Sequence, residues 1–196
     1  MSKIDKKILW FDTETTGLSA YKNDIIQIAG MITVNGKLEE EFSYNVQPHN
    51  FNNIEPEAVR VHGITEEQMK TFMETKELHG ILKDLFKKFI NPFDKKDKFT
   101  AAGYNVRFDM DMLFQFFKKC GDNYFYSFVD GYPLDVYQGA IILQHFGVLP
   151  QLPDYKLETV AKYLGIEINA HDALSDIQAT RETAKALRTF ILKKGE

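Results

Sequence analysis

WFDTETTG, residues 10–17, is the stretch from which the fold can be read. Residues 7–12 are an apolar run that closes on an acid, the pattern of a buried strand with one residue out of character. A carboxylate at the end of such a strand is unfavourable unless it is paired or holds a metal ion. Strand periodicity places Glu14 on the same side of the sheet as Asp12. Two carboxylates on one face repel unless a cation lies between them. Thr15-Thr16-Gly17 then turns the chain, which should leave backbone amides free for a phosphate or a sugar.

Working outward, residues 24–34 and 37–47 read as two further strands joined at Asn35-Gly36, a two-residue hairpin signal. A helical region follows, in which Thr65 to Gln68 fits a capping box. Between Leu78 and Ile90, apolar residues recur at helical spacing with lysines opposite, and Asn91-Pro92 ends the segment. Residues 99–104 predict a short strand and 107–119 a helix; 121–135 reads as a long loop. Helices are expected over 136–146, 156–164 and 172–193. Strands first, then strands and helices in alternation, predict an α/β fold: one mixed central sheet flanked by helices, in a single domain over 1–196.

Composition narrows the function classes. A net charge of −4 argues against a passive, charge-driven nucleic-acid binder but not against an enzyme whose site holds cations. The lysine clusters at 83–88, 95–98, 118–119 and 193–194 are expected to be solvated faces. Cys120 is the only cysteine, which excludes an internal disulfide and a cysteine-rich zinc site. The apolar run from Ile8 to Phe11 is too short for a signal peptide, and no stretch is long enough to span a membrane, so a cytoplasmic location is expected. The 16 Phe and 9 Tyr point mainly to an aromatic core, with some rings left over for base stacking.

Spacing alone does not single out Asp12 and Glu14, because the same i, i+2 acid pair recurs at Glu39/Glu41, Glu55/Glu57 and Asp109/Asp111. Context does. Asp109, in GYNVRFDMDML (103–113), follows a short buried strand; it is either a site carboxylate or a favourable charge in a first helical turn. Asp111 reads mainly as the latter. In HDALSDIQAT (171–180), Asp176 falls inside the last helix. His171 can face the same cleft only if it precedes that helix.

Three segments in this order, with a histidine five residues before the last acid, resemble the DEDDh branch of the DnaQ-like 3′–5′ exonucleases. Val61-His62-Gly63-Ile64-Thr65 is similar to that family's VHGIT element, and KLETVAKYLGI (156–166) to the helix leading into its third motif. The resemblance covers nearly the whole chain and implies a ribonuclease H-like fold. It also implies two divalent cations, Mg²⁺ or Mn²⁺, whose hard-ligand chemistry suits carboxylates. Asp12 would bridge the ions, with Glu14 and Asp176 on the water-bearing one and Asp109 on the other. His171 would be the base, its ordinary pKa of about 6.5 lying near neutrality.

By the same resemblance, Thr15, Gly17 and Leu18 would line the terminal nucleotide's site with His62 and Ile64 opposite, and Leu18 would wedge between the last two bases. Ordinary packing accounts equally well for Leu18 and Ile64. Asn105 and Phe108 either contact substrate or support the helix of Asp109. The aromatic stretch 121–155 departs from the simplest members and is either a substrate-gripping loop or a partner surface. The expected substrate is the 3′ end of a single strand, DNA ahead of RNA. Alternatives are an exoribonuclease like ribonuclease T or oligoribonuclease, and a DNA polymerase subunit acting mainly by binding.

Overall fold

In the computed structural model, which describes residues 6–168 and 173–193, the first strand outruns its apolar segment. Strand β1 spans Lys7–Thr15, because the period-two alternation continues past Asp12: Thr13 and Thr15 are buried on one face, Asp12 and Glu14 half-buried on the other. Strands β2 (Ile25–Val34) and β3 (Lys37–Asn45) follow as the expected antiparallel hairpin. Asn35 and Gly36 turn it with φ of 52° and 85°, the left-handed pair that a tight hairpin demands. Strands β4 (Thr100–Gly103) and β5 (Leu134–Asp135) add on the far side in parallel, giving the order β3-β2-β1-β4-β5.

The parallel side is short. Strand β1 pairs with β4 only over Ile8–Trp10, so β1 runs on from Phe11 with no strand on that edge. Strand β5 lies inside the segment expected to be loop; two residues leave no alternation to read.

Helices cover both faces: α1 (Pro56–His62), α2 (Glu66–Met69), α3 (Thr75–Lys87), α4 (Arg107–Lys119), α5 (Val136–His145), α6 (Leu157–Tyr163) and α7 (Ala173–Lys193). The capping box forms at α2, where Thr65 Oγ1 accepts from the Gln68 amide at 3.3 Å and Gln68 Oε1 accepts from the Thr65 amide at 2.8 Å. Helix α3 starts ahead of the expected Leu78, since its polar first turn carries no apolar stripe. It unwinds after Lys87 into turns that end with Ile90 bonded to the Phe86 carbonyl.

On one face of the sheet, Leu9 and Phe11 pack against Leu82 and Phe86 of α3 and Leu113 and Phe117 of α4. On the other, Trp10 meets Ala140 of α5, Val160 of α6 and Ile177 and Leu187 of α7. The phenylalanines form an edge-to-face lattice in the first layer, with Phe86–Phe99 centroids 5.6 Å apart and Phe117–Phe125 5.4 Å. Phe125 and Phe128, from the expected loop, are thus core residues.

Two of the lysine clusters are not simply solvated faces. Lys119 donates to Asp24 Oδ1 at 2.7 Å and to the Asn23 carbonyl at 2.6 Å, and Lys83 to Asp122 Oδ2 at 2.6 Å. A lysine stem lies along apolar surface while its head reaches a buried carboxylate, and composition cannot reveal that partner. Asp24 also accepts from the Asn50 amide at 3.0 Å. Among the described residues no helix is long and apolar enough to cross a membrane.

Lys119→Ala strands the buried Asp24 carboxylate with only its amide partner. It should destabilise the protein by about 1.5–3 kcal/mol, the worth of a charged hydrogen bond. Lys95→Ala, at an exposed lysine, should change stability by less than about 0.5 kcal/mol. Urea unfolding of both variants checks the contrast; equal loss in the two would remove the ion pair from its role.

Candidate active site

The free edge of β1 is where the acids gather. Asp12 and Glu14 leave β1 on the face covered by α7, and α7 carries Asp176 to the same place. Asp12 and Asp176 line one cavity of about 190 Å³ with Trp10, Tyr104, Glu158 and Thr180. Asp109 arrives from the opposite layer, on the first turn of α4. Thr13, pointing toward α4, holds it there: the Thr13 amide and hydroxyl both donate to Asp109 Oδ1, at 3.0 and 2.6 Å. The carboxylate therefore takes the β1 amide that a longer β4 would have met. Asp109 is almost fully buried, so its helical position is more than a favourable first-turn charge.

Thr13 is the residue that the sequence reading passed over. The available signal was its place between two acids in an alternating strand, which aims it at the face opposite theirs.

The carboxylates feel one another. Burial, then the charges of Glu14 and Asp176, push Asp12 up to about 7. Burial and Asp176 raise Glu14, and burial and Asp12 raise Asp109 well above the carboxylate range despite the two bonds from Thr13. Asp12, Glu14, Asp109 and Asp176 thus form one electrostatic unit. All its donors are hard oxygens and its like charges repel, so the donor chemistry fits a divalent cation such as Mg²⁺ or Mn²⁺. Among the described residues no three His, Cys, Asp or Glu side chains are placed closely enough to hold a metal ion as they stand. His171 lies outside the described residues.

Beside Glu14 a second cavity, of about 340 Å³, is lined by Thr13, Thr15, Gly17, Leu18, His62 and Phe108 among others. Of the residues expected at a nucleotide, Ile64 and Asn105 stand outside this lining. The Ile64 amide donates to His62 Nδ1 at 2.9 Å, which orients the imidazole. Asn105 has a left-handed backbone, φ 60°, and its amide donates to Asp135 Oδ1 at 3.1 Å. The same Asp135 oxygen caps α5 through the Gln138 amide.

The expected turn with free amides is corrected in part. The Thr16 amide is spent on the Asp24 carbonyl at 2.8 Å, because the strand's bonding extends to this point. Gly17 is required by close packing: a Cβ there would lie 2.5 Å from both Asn23 Nδ2 and Glu55 Cδ. With Nδ1 of His62 accepting, its neutral ring carries the proton on Nε2. That nitrogen is buried and has no partner among the described residues, and burial lowers the ring's pKa so that the neutral form prevails.

The sequence profile described as exonuclease matches residues 9–183. The chain belongs to the exonuclease family. Among curated relatives of this family member, DNA polymerase III PolC-type of Halalkalibacterium halodurans is 30% identical over 185 residues, covering 90% of this chain and 11% of the relative. The corresponding protein of Oceanobacillus iheyensis is 29% identical over 171 residues, covering 87% of this chain and 10% of the relative. The chain therefore spans about a tenth of the length of these polymerases.

Solved structures agree on the fold. Escherichia coli exonuclease I in complex with a dT13 oligonucleotide superposes with a TM-score of 0.75 at 23% identity, over 96% of this chain and 42% of that one. Exonuclease I from Methylocaldum szegediense gives 0.76 at 22% identity, over 94% and 40%. The ribonuclease H-like α/β fold expected from the motifs is the fold of this exonuclease-family chain.

The raised Asp12 carries a pH signature. Its folded pKa of about 7 exceeds the unfolded value of 3.8, so its contribution to stability is full below the unfolded value and lost as pH rises through the folded one. In chelator, Asp12→Asn should match the parent's stability near pH 4 and exceed it at pH 8. Urea unfolding across that range checks it. A variant less stable than the parent at pH 8 would show that the Asp12 charge is compensated.

Proposed function

We propose that this protein is a metal-dependent 3′–5′ exonuclease. It hydrolyses phosphodiesters of single-stranded DNA or frayed 3′ ends and releases nucleoside 5′-monophosphates. The observation that carries this reading is the convergence of Asp12, Glu14, Asp109 and Asp176, with Glu14 also lining a cavity of about 340 Å³. When bound, a pair of Mg²⁺ or Mn²⁺ ions supplies Lewis acidity and neutralises charge on the phosphodiester. Asp12, Glu14 and Asp176 would hold one ion, Asp12 and Asp109 the other, with Thr13 fixing Asp109.

The chain's own groups do the rest. His62 lines the cavity and holds a buried, unpartnered Nε2–H, a donor that the acceptors on a terminal nucleotide's base and sugar would satisfy. Thr15 Oγ1, bonded to the Gly17 carbonyl at 2.8 Å, fixes the loop that forms the cavity wall. Leu18, 84% exposed and lining the cavity, would wedge between the last two bases. His171 accepts the proton of the attacking water. Two facts about other proteins support DNA as substrate: the curated relatives are named as DNA polymerase III, and a solved relative is complexed with dT13. A zinc-bound exonuclease I–ssDNA complex among the similar structures supports metal dependence.

The test is digestion of 5′-labelled single-stranded DNA and RNA with Mg²⁺ or Mn²⁺. A ladder shortening from the 3′ end of DNA, absent for Asp12→Ala and Asp176→Ala, is the expected result. Shortening of RNA alone would move the activity to RNA processing. No metal-dependent ladder on either would turn the reading toward a binding subunit of a polymerase.

His171→Ala should lower the rate by about 10²–10⁴, the usual worth of a positioned base, and should remove the acid limb of the pH–rate profile near neutral pH. A pH–rate profile the same as the parent's would take His171 out of that role.

A further inference from the structure

Next to the nucleotide cavity lies a groove of about 510 Å³, lined by Leu18, Tyr21, Arg107, Phe108, Phe114 and Tyr126 among others. Leu18 and Phe108 line both hollows, so the two are one trough divided by a ridge. Beyond the ridge the groove presents rings. Tyr21 is 83% exposed and Tyr126 38%. The Tyr126 ring is seated against Phe114, centroids 5.3 Å apart, and against the buried Phe125 at 5.1 Å. Its carbonyl accepts from Lys98 Nζ at 2.5 Å. The ring is therefore held in place while much of it stays open, as a stacking platform requires. Charge in the groove is nearly balanced, since Arg107 pairs with Asp111 at 3.4 Å. Such a surface offers little field for phosphates and much for unpaired bases.

We propose that this groove binds the nucleotides on the 5′ side of the cleavage site, with bases stacked on Tyr126 and Tyr21; the inference rests on the exonuclease reading. The trough's continuity across Leu18 and Phe108 fixes the occupant as the same strand whose last nucleotide fills the neighbouring cavity. Bases in a duplex already stack on each other and present no free face to a tyrosine, so the groove selects single strands. The segment whose aromatic content set it apart in the sequence is thereby divided in role. Phe125 and Phe128 build the core, and Tyr126 faces the substrate.

The experiment is steady-state cleavage of oligothymidylates from the dinucleotide to the hexanucleotide. For the parent, KM should fall with length. Tyr126→Ala and Tyr21→Ala should each raise KM for the hexanucleotide about 5- to 100-fold, the range for losing one base–aromatic stack, with a much smaller change in kcat. The penalty should shrink as the chain shortens, and Tyr126→Phe should restore the parent's KM because the ring does the stacking. Tyr21 is so exposed that its variant keeps the test valid if Tyr126→Ala unfolds. A penalty equal at all lengths, or none, overturns the groove.

Fluorescence anisotropy of labelled hexathymidylate in chelator reads binding without turnover. Equal affinity in parent and variants overturns the groove whether or not the parent cleaves. Weakened binding in the variants of a parent that cleaves nothing supports the groove and overturns the exonuclease reading. A change of mass in Tyr21→Ala by sedimentation, with affinity unchanged, reassigns the face to a second copy of the chain.

Discussion

Like charge held close together at the end of β1 is the constraint around which the rest is arranged. Four carboxylates from three elements are packed together, and burial alone favours the neutral forms of Asp12, Glu14 and Asp109. Local devices make this tolerable. Thr13 gives Asp109 two donors on one oxygen. Elsewhere the structure pairs its buried acids fully: Asp24 has Lys119 and Asp122 has Lys83 and His79. The site acids stand out as like charges crowded against one another, and the apolar layers on both faces carry the stability that the site withholds. Crowded negative charge is what a cation-dependent centre requires before its cation arrives.

Much of this was legible in the chain. The alternation through Asp12 and Glu14 gave their common face, Asn35-Gly36 the hairpin, and the stripe from Leu78 a helix. All are local patterns with short physical ranges. Where the sequence fell short, the missing information was a distant partner. Nothing near Lys119 announces Asp24, and nothing near Thr13 announces Asp109, because each pair meets only after the sheet and α4 have packed. The Thr16 amide, expected to be free, is taken for the same reason, since the Asp24 carbonyl comes from the next strand's approach. Strand β5 was invisible because two residues define no period.

The cavity beside Glu14 shows the same division. Leu18, His62 and Phe108 were named by motif and do share one hollow, while Ile64 and Asn105, named by the same motifs, do not line it. Their places follow from backbone chemistry. The Ile64 amide serves the His62 ring, and the left-handed Asn105 leads from β4 into α4. A motif marks a neighbourhood, and the hydrogen bonds decide which members face inward.

Strand β4 stops beside Trp10, five residues before β1 does. A complete sheet is a partition, with one helical layer unable to touch anything the other holds. Here the partition has a window. Through it Asp109 from one layer meets Asp12 from the other, and a single small molecule can be grasped from both sides at once. Lengthening β4 by one pair of residues would satisfy the Thr13 amide with backbone and close the window. The fold would keep its core and exchange one hydrogen bond of the Thr13 amide for another, and the two halves of the site would be parted.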